Sequence, residues 1–247
     1  MKRYWPLMVV LLWTPTLASA DTLLVAVASN FTSTLEDIAQ RFEERTGHRV
    51  RIIAASTGVH YAQILNGAPF DMLFAADAQR PRLLEQDGQA VAGTRFTYAF
   101  GRLVLWSLDP ALVDSEASVL GSGNFTRLAV ANPDTAPYGA AALQALERLG
   151  LLESVRPKLV TGTNISQTHQ FVASGAAPLG LVAYSQVAGP GIRPTGSYWL
   201  VPESLHEPVD QQAVLLKESP AGREFLEFVR SEPIRELIES YGYRVGD

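Results

Sequence analysis

Short apolar runs alternate with amphipathic stretches through the first third of the chain, and the alternation predicts strand and helix in turn. Leu23 to Ala28 shows none of the period-2 polarity of a half-exposed strand, so it reads as a strand buried on both faces of a parallel sheet. Phe31, Leu35, Ile38, Ala39 and Phe42 then recur at helical spacing, and Gly47 supplies a C-terminal stop. Val50 to Ala54 is a second strand, and Ser56-Thr57-Gly58 turns into a helix carrying Tyr61, Ile64 and Leu65 that ends at Asn66-Gly67-Ala68-Pro69. Met72 to Ala75 is a third strand, with Asp77 as the cap of the next helix. This βαβαβα order implies a doubly wound α/β sheet.

A second set of similar units follows. The apolar strand Leu103 to Trp106 comes after Thr97-Tyr98-Ala99-Phe100-Gly101-Arg102, where the pattern changes and a first crossing between lobes is placed. A loop from Leu108 to Asn124 leads to a strand over Arg127 to Ala131, a turn through Ala136-Pro137-Tyr138-Gly139 and a helix closed by Gly150. Leu159-Val160, the turn Thr161-Gly162-Thr163-Asn164-Ile165-Ser166, a helix through Phe171 and the strand Leu179 to Ala183 continue the series. Trp199 to Asp210 reads as a return crossing, followed by a strand over Gln212 to Lys217 and helix from Ala221 to Tyr241, interrupted at Pro233. The pattern therefore predicts two doubly wound α/β lobes on a two-crossing hinge, with residues 21–100 and 205–247 in lobe 1 and 101–204 in lobe 2. Ligands of such folds sit between the lobes, at the carboxyl ends of the strands.

The first twenty residues are set apart from this pattern. Lys2 and Arg3, the apolar run Trp5 to Trp13 and the triplet Ala18-Ser19-Ala20 form a signal peptide over residues 1–20, cleaved after Ala20. The run is too short for the roughly 20 residues a membrane span needs. Its removal leaves 18 Lys and Arg against 25 Asp and Glu, a net charge of −7, which argues against nucleic acid or an anionic membrane as partner. There is no cysteine, so neither a disulfide nor thiol chemistry is available, nor the lipid anchor that bacteria attach to a cysteine. An exported monomer, periplasmic and free of cofactor, is the expectation.

Four strand-to-helix turns share one character: Ser29-Asn30, Ser56-Thr57-Gly58, Ala136-Pro137-Tyr138-Gly139 and Thr163-Asn164-Ile165-Ser166 are small, rich in hydroxyl or amide groups, and free of Lys and Arg. Helix starts have unpaired N–H groups and the positive end of the dipole. If two turns come from each lobe, they surround a small dianion with fixed donors and no counter-charge. Ser29 and Asn30 then form one wall of an oxyanion site. Donors alone suit a fully deprotonated tetrahedral oxyanion better than phosphate, whose O–H needs an acceptor. Any one such turn is ordinarily only a cap; the set carries the argument.

The same residues resemble a family. Ala28-Ser29-Asn30-Phe31, Ser56-Thr57-Gly58 with Tyr61-Ala62-Gln63-Ile64, Asn66-Gly67-Ala68-Pro69 with Phe74-Ala75-Ala76-Asp77, and Ala136-Pro137-Tyr138-Gly139 closely resemble the periplasmic molybdate-binding proteins of ABC importers. The likeness extends through Arg95 to Ala99, Gly175-Ala176-Ala177, Leu179-Gly180 and Gly242-Tyr243, over essentially the whole mature chain. It implies a class II periplasmic binding protein that captures molybdate, and tungstate as well, and delivers it to a membrane ABC permease. It also implies oxyanion contacts from Ser29, Asn30 and Thr57 and from the Tyr138 and Ile165 backbone N–H groups, with the metal held only through its oxygens. Many members place a Tyr hydroxyl in the site where this chain has Ala183, beside Tyr184; Asn30 is the natural substitute donor. Ser29→Ala and Asn30→Ala are each expected to weaken binding with little loss of fold, and whether Ser56 or Tyr184 also touches the ligand is open.

Other readings are weaker. The same fold serves sulfate, phosphate or an organic acid equally well on topology alone. A secreted hydrolase needs a nucleophile and base, yet the chain has neither a Gly-x-Ser-x-Gly elbow nor a Gly-x-x-x-x-Gly-Lys loop. His48, His60, His169 and His206 are scattered without metal spacing and are assigned surface or supporting roles. The effector lobe of a transcription regulator conflicts with the signal peptide.

Overall fold

A computed structural model describes residues 20–190 and 195–246; the expected signal peptide, apart from Ala20, lies outside the described residues. From the N-terminal side run β1 (Thr22–Ala28), α1 (Thr32–Thr46), β2 (Arg49–Ala55), α2 (Thr57–Leu65), β3 (Met72–Phe74), α3 (Gln79–Gln86) and β4 (Phe96–Gly101). Arg102 alone separates β4 from β5 (Leu103–Ser107). There follow α4 (Ser118–Ser122), β6 (Leu128–Ala131), α5 (Pro137–Arg148), α6 (Leu152–Val155), β7 (Leu159–Gly162), α7 (Ile165–Ala173), β8 (Leu179–Ala183) and β9 (Ser197–Leu200). The chain then returns through β10 (Val209–Leu215), α8 (Pro220–Arg230) and α9 (Glu232–Ser240).

The strands form two five-stranded sheets, ordered β2-β1-β3-β10-β4 and β7-β6-β8-β5-β9. Within each, three strands are parallel, as a doubly wound unit requires. The sheets are nevertheless mixed: β10 runs antiparallel to β3 and β4, and β5 antiparallel to β8 and β9. In both sheets the antiparallel strand is the first one laid down after the chain crosses from the other sheet. The crossings thus enter each sheet beside its parallel half, and the two lobes are topological counterparts.

Local chemistry explains most boundaries. α1 buries Leu35, Ile38, Ala39 and Phe42 along one face and stops at Gly47, whose φ of 78° is the left-handed value a glycine takes at no steric cost. Asp77 lies just ahead of α3 and its Oδ1 accepts the Arg80 N–H at 2.8 Å, the capping role expected of it. Several local readings change: β4 occupies the stretch read as the first crossing, Trp199 and Leu200 belong to β9, and β10 begins at Val209 rather than Gln212. Thr161 and Gly162 belong to β7 rather than to the turn, the loop after β5 contains α4, and the C-terminal helical region divides at Ser231, two residues before Pro233. Pro233 sits in the first turn of α9, where its missing N–H costs nothing.

The core of lobe 1 has two faces. Phe31, Phe42 and Phe74 pack with Phe225 and Ile238 on one side of the sheet, and Ile64, Phe70 and Leu84 on the other. Lobe 2 repeats this, with α5 residues on one face and Trp106, Val172 and Val182 on the other. Ala28 and Ala76 at the strand ends of lobe 1 join the cluster of lobe 2, so the lobes are in contact across the cleft.

Candidate ligand-binding site

β1, β2, β6 and β7 all run out toward the cleft, and each feeds a helical turn there. Around one small cavity stand Ser29, Asn30, Ser56 and Thr57 from lobe 1 and Ala136, Pro137, Tyr138 and Ile165 from lobe 2. All five residues singled out from the sequence, Ser29, Asn30, Thr57, Tyr138 and Ile165, meet there. Each is buried, and no charged side chain lines the cavity.

The hydrogen bonding at each helix start leaves particular donors for the cavity. Pro137 has no N–H, so the first amide of α5 is that of Tyr138. At α7 the Asn164 side chain accepts from Gln167 N and Ser166 N reaches Ser29 Oγ at 3.4 Å, leaving the Ile165 amide at the tip. At α2, Gly58 N donates to Thr135 O at 2.8 Å and Thr57 Oγ1 accepts from Ala76 N at 2.9 Å. The Thr57 hydroxyl proton is therefore left to donate.

For Asn30, whose part in the site could fall to its backbone or its side chain, the structure leaves the backbone. Its side chain turns into lobe 1, donating to Gln211 Oε1 at 2.7 Å and to the Tyr243 hydroxyl at 3.1 Å, while that hydroxyl donates to Asn30 O at 2.8 Å. Both amide protons are used, so only its backbone N–H is available as a donor to a ligand. Gln211 Oε1 also lies 3.2 Å from the Tyr98 hydroxyl. Burial raises the pKa of Tyr98, Tyr138 and Tyr243, so these phenols stay protonated.

Other expectations resolve as follows. The Tyr184 ring lies beneath the Arg102 guanidinium, 4.8 Å away, and not along the cavity. The neighbouring Ser185 instead donates to Asn30 O at 3.3 Å. Ser56, left open by the sequence, does line the cavity. A cation stands closer to the cleft than the turns themselves implied: Arg80 donates to Asp134 O of lobe 2 at 3.1 Å, with its charge paired to Asp77 at 2.5 Å. His60 and His206 are buried. His60 sits beneath β1 with Nε2 3.0 Å from Val27 O, and His169 stacks on Trp106. Among the described residues no three His, Asp or Glu side chains gather as a metal site, and no helix is long and apolar enough to cross a membrane.

The Gln211, Tyr243 and Tyr98 network was missed from the sequence. Its one sequence signal is Gln211-Gln212, a polar pair inside an otherwise buried strand.

Two α/β lobes joined by two strand crossings, with helix starts from both facing one small uncharged cavity, define the class of proteins that close around a small solute. A family model for bacterial extracellular solute-binding proteins matches residues 23–244, and this chain belongs to that family. It is 50% identical to the molybdate-binding protein ModA of Azotobacter vinelandii, over 92% of this chain and 91% of that one. It is 46% identical to ModA of Rhodobacter capsulatus, over 92% and 89%. The solved structure of the periplasmic molybdate-binding protein of Azotobacter vinelandii superposes with a TM-score of 0.88, covering 91% of this chain and all of that one at 40% identity.

Proposed function

We propose that this protein captures molybdate, and tungstate with it, outside the cytoplasm and presents it to a membrane ABC permease. The observation that carries the reading is the cavity: helix starts from both lobes and the hydroxyls of Ser29, Ser56 and Thr57, with no charged side chain on its wall. The identity to ModA proteins supports the choice of anion. In this reading the backbone N–H groups of Ser29, Asn30, Tyr138 and Ile165 and the hydroxyls of Ser29 and Thr57 hold the oxygens, and no side chain ligates the metal. Each such bond to an anion contributes about 1.5–3 kcal/mol net, enough in sum to offset the ordering that closure demands. The lobes, 21–100 with 205–247 and 101–204, move about the two crossings, and the closed form is what the permease recognises. The mature chain begins at Asp21, after removal of residues 1–20, and acts as a monomer.

Titration calorimetry on the mature protein, treated with chelator and offered molybdate, tungstate, sulfate and phosphate in turn, tests the reading. Tight one-to-one heat with the two larger oxyanions is expected. Binding of sulfate or phosphate in preference, or of none, overturns it.

A further inference from the structure

Ser56 is a cap that does not cap. Its backbone is extended, with φ −73° and ψ 151°, as the residue before a helix should be, yet its side chain makes no bond to the α2 amides. A serine here ordinarily accepts from the second or third helical N–H. The second, Gly58 N, is instead turned to Thr135 O of the opposite lobe at 2.8 Å. Ser56 Oγ is left buried with no hydrogen-bond partner in a residue only 4% exposed, on the wall of the cavity. A buried hydroxyl without a partner carries an uncompensated desolvation cost, which an acceptor placed in the cavity removes.

The hydroxyls of Ser29 and Thr57 each already accept one bond. Ser29 Oγ accepts from Ser166 N and Thr57 Oγ1 from Ala76 N. Both keep a proton to donate; Ser56 alone of the three has no bond at all, its proton and its lone pairs both unused.

We propose that Ser56 is a further ligand-contacting residue of this protein, donating its hydroxyl proton to an oxygen of the bound tetrahedral oxyanion. The inference rests on the oxyanion reading of the cavity. It assigns Ser56 to holding the ligand rather than to holding α2.

The two roles separate in one experiment. Calorimetry and thermal melts on the mature protein, wild type, Ser56→Ala and Ser56→Thr, use sodium molybdate first and tungstate, sulfate and phosphate beside it. With the ligand role, Ser56→Ala weakens binding about 10- to 100-fold, the loss of one charge-assisted bond. It leaves the unliganded melting temperature unchanged or higher, and Ser56→Thr restores much of the affinity. A Ser56→Ala affinity within twofold of wild type overturns the assignment, as does a fall in the unliganded melting temperature that accounts for the binding loss. If wild type binds another of the four anions and not molybdate, the choice of solute fails while Ser56 is scored on the anion bound. If it binds none of them, both fall together.

Discussion

Asn30 is where the ligand cavity meets the polar interior of lobe 1, and its side chain serves the interior. Removing it strips Gln211 Oε1 and the Tyr243 hydroxyl of a donor at once, and stranding such groups costs about 1–3 kcal/mol. Asn30→Ala is therefore expected to destabilise the unliganded protein by that amount in denaturant titrations. Ser29→Ala, whose hydroxyl accepts one long bond at 3.4 Å, should cost distinctly less. This revises the expectation that both substitutions leave the fold untouched. His60 supplies a pH signature. Burial lowers its pKa below the ordinary 6.5, outweighing its hydrogen bonds to Gln63, Val27 and Ile53. Between the lowered folded value and 6.5 the unfolded chain binds more protons, so stability is full above about pH 6.5 and falls as pH drops through that window. His169 is lowered by burial too and acts in the same direction. Thermal melts from pH 7.5 to 5 should show the decline, and His60→Gln should flatten part of it. At this scale the hydroxyl turns were legible because a cap is a property of neighbouring residues. The direction of the Asn30 side chain was not, because Gln211 and Tyr243 lie far along the chain.

At the level of elements, the buried parallel strands and the longer helices followed from periodicity, whereas β4, β9, the short α4 and α6 and the place of β10 did not. Its apolar pattern says that it is buried but not that it enters between β3 and β4, antiparallel to both. That is decided by partners laid down before all of lobe 2. The first crossing, where β4 passes to β5, is tightly built for the same long-range reason. A Cβ on Gly101 would stand 2.1 Å from the Tyr138 hydroxyl oxygen, 2.8 Å from Tyr138 Cζ and 2.9 Å from Gln211 Nε2. Three elements, β4, α5 and β10, thus converge on one missing side chain. Gly101→Ala should cost about 1–3 kcal/mol through overpacking, read as a fall in the denaturation midpoint. Tyr138→Phe in the same chain should recover part of it, since it removes the nearest atom and leaves the ring.

For the whole molecule the question is what the two lobes do to each other. Gly58 N to Thr135 O, Ser166 Oγ to Ser29 O at 3.0 Å and Arg80 to Asp134 O all bridge the cleft. Gly58 is the tightest of these points: a Cβ there would lie 2.9 Å from Thr135 Cα and 3.0 Å from Thr135 O, backbone atoms that cannot turn aside. Within α2 an alanine is the better helix former by about 1 kcal/mol. Gly58→Ala is therefore expected to leave the free protein as stable as before or more so, while holding the lobes apart. Calorimetry should give at least about a tenfold loss of affinity, since even one lost cross-cleft bond to an anion is worth that much. Small-angle scattering should show a smaller compaction on adding ligand than wild type shows. The two-lobed plan was legible because the strand and helix pattern is set down twice. The closeness of the lobes at Gly58 was not, because nothing local to Gly58 names Thr135.

The insertion of β10 also sets an order in time. Lobe 2 is one continuous stretch from β5 to β9, and its sheet is complete once β9 exists. Lobe 1 has to leave a gap between β3 and β4 until nearly the whole chain is available, and filling it closes a loop that contains the entire second lobe. During synthesis the N-terminal lobe, which begins next to the expected signal peptide, is therefore the last to become compact. The first segment made thus stays open at the β10 position until one of the last arrives.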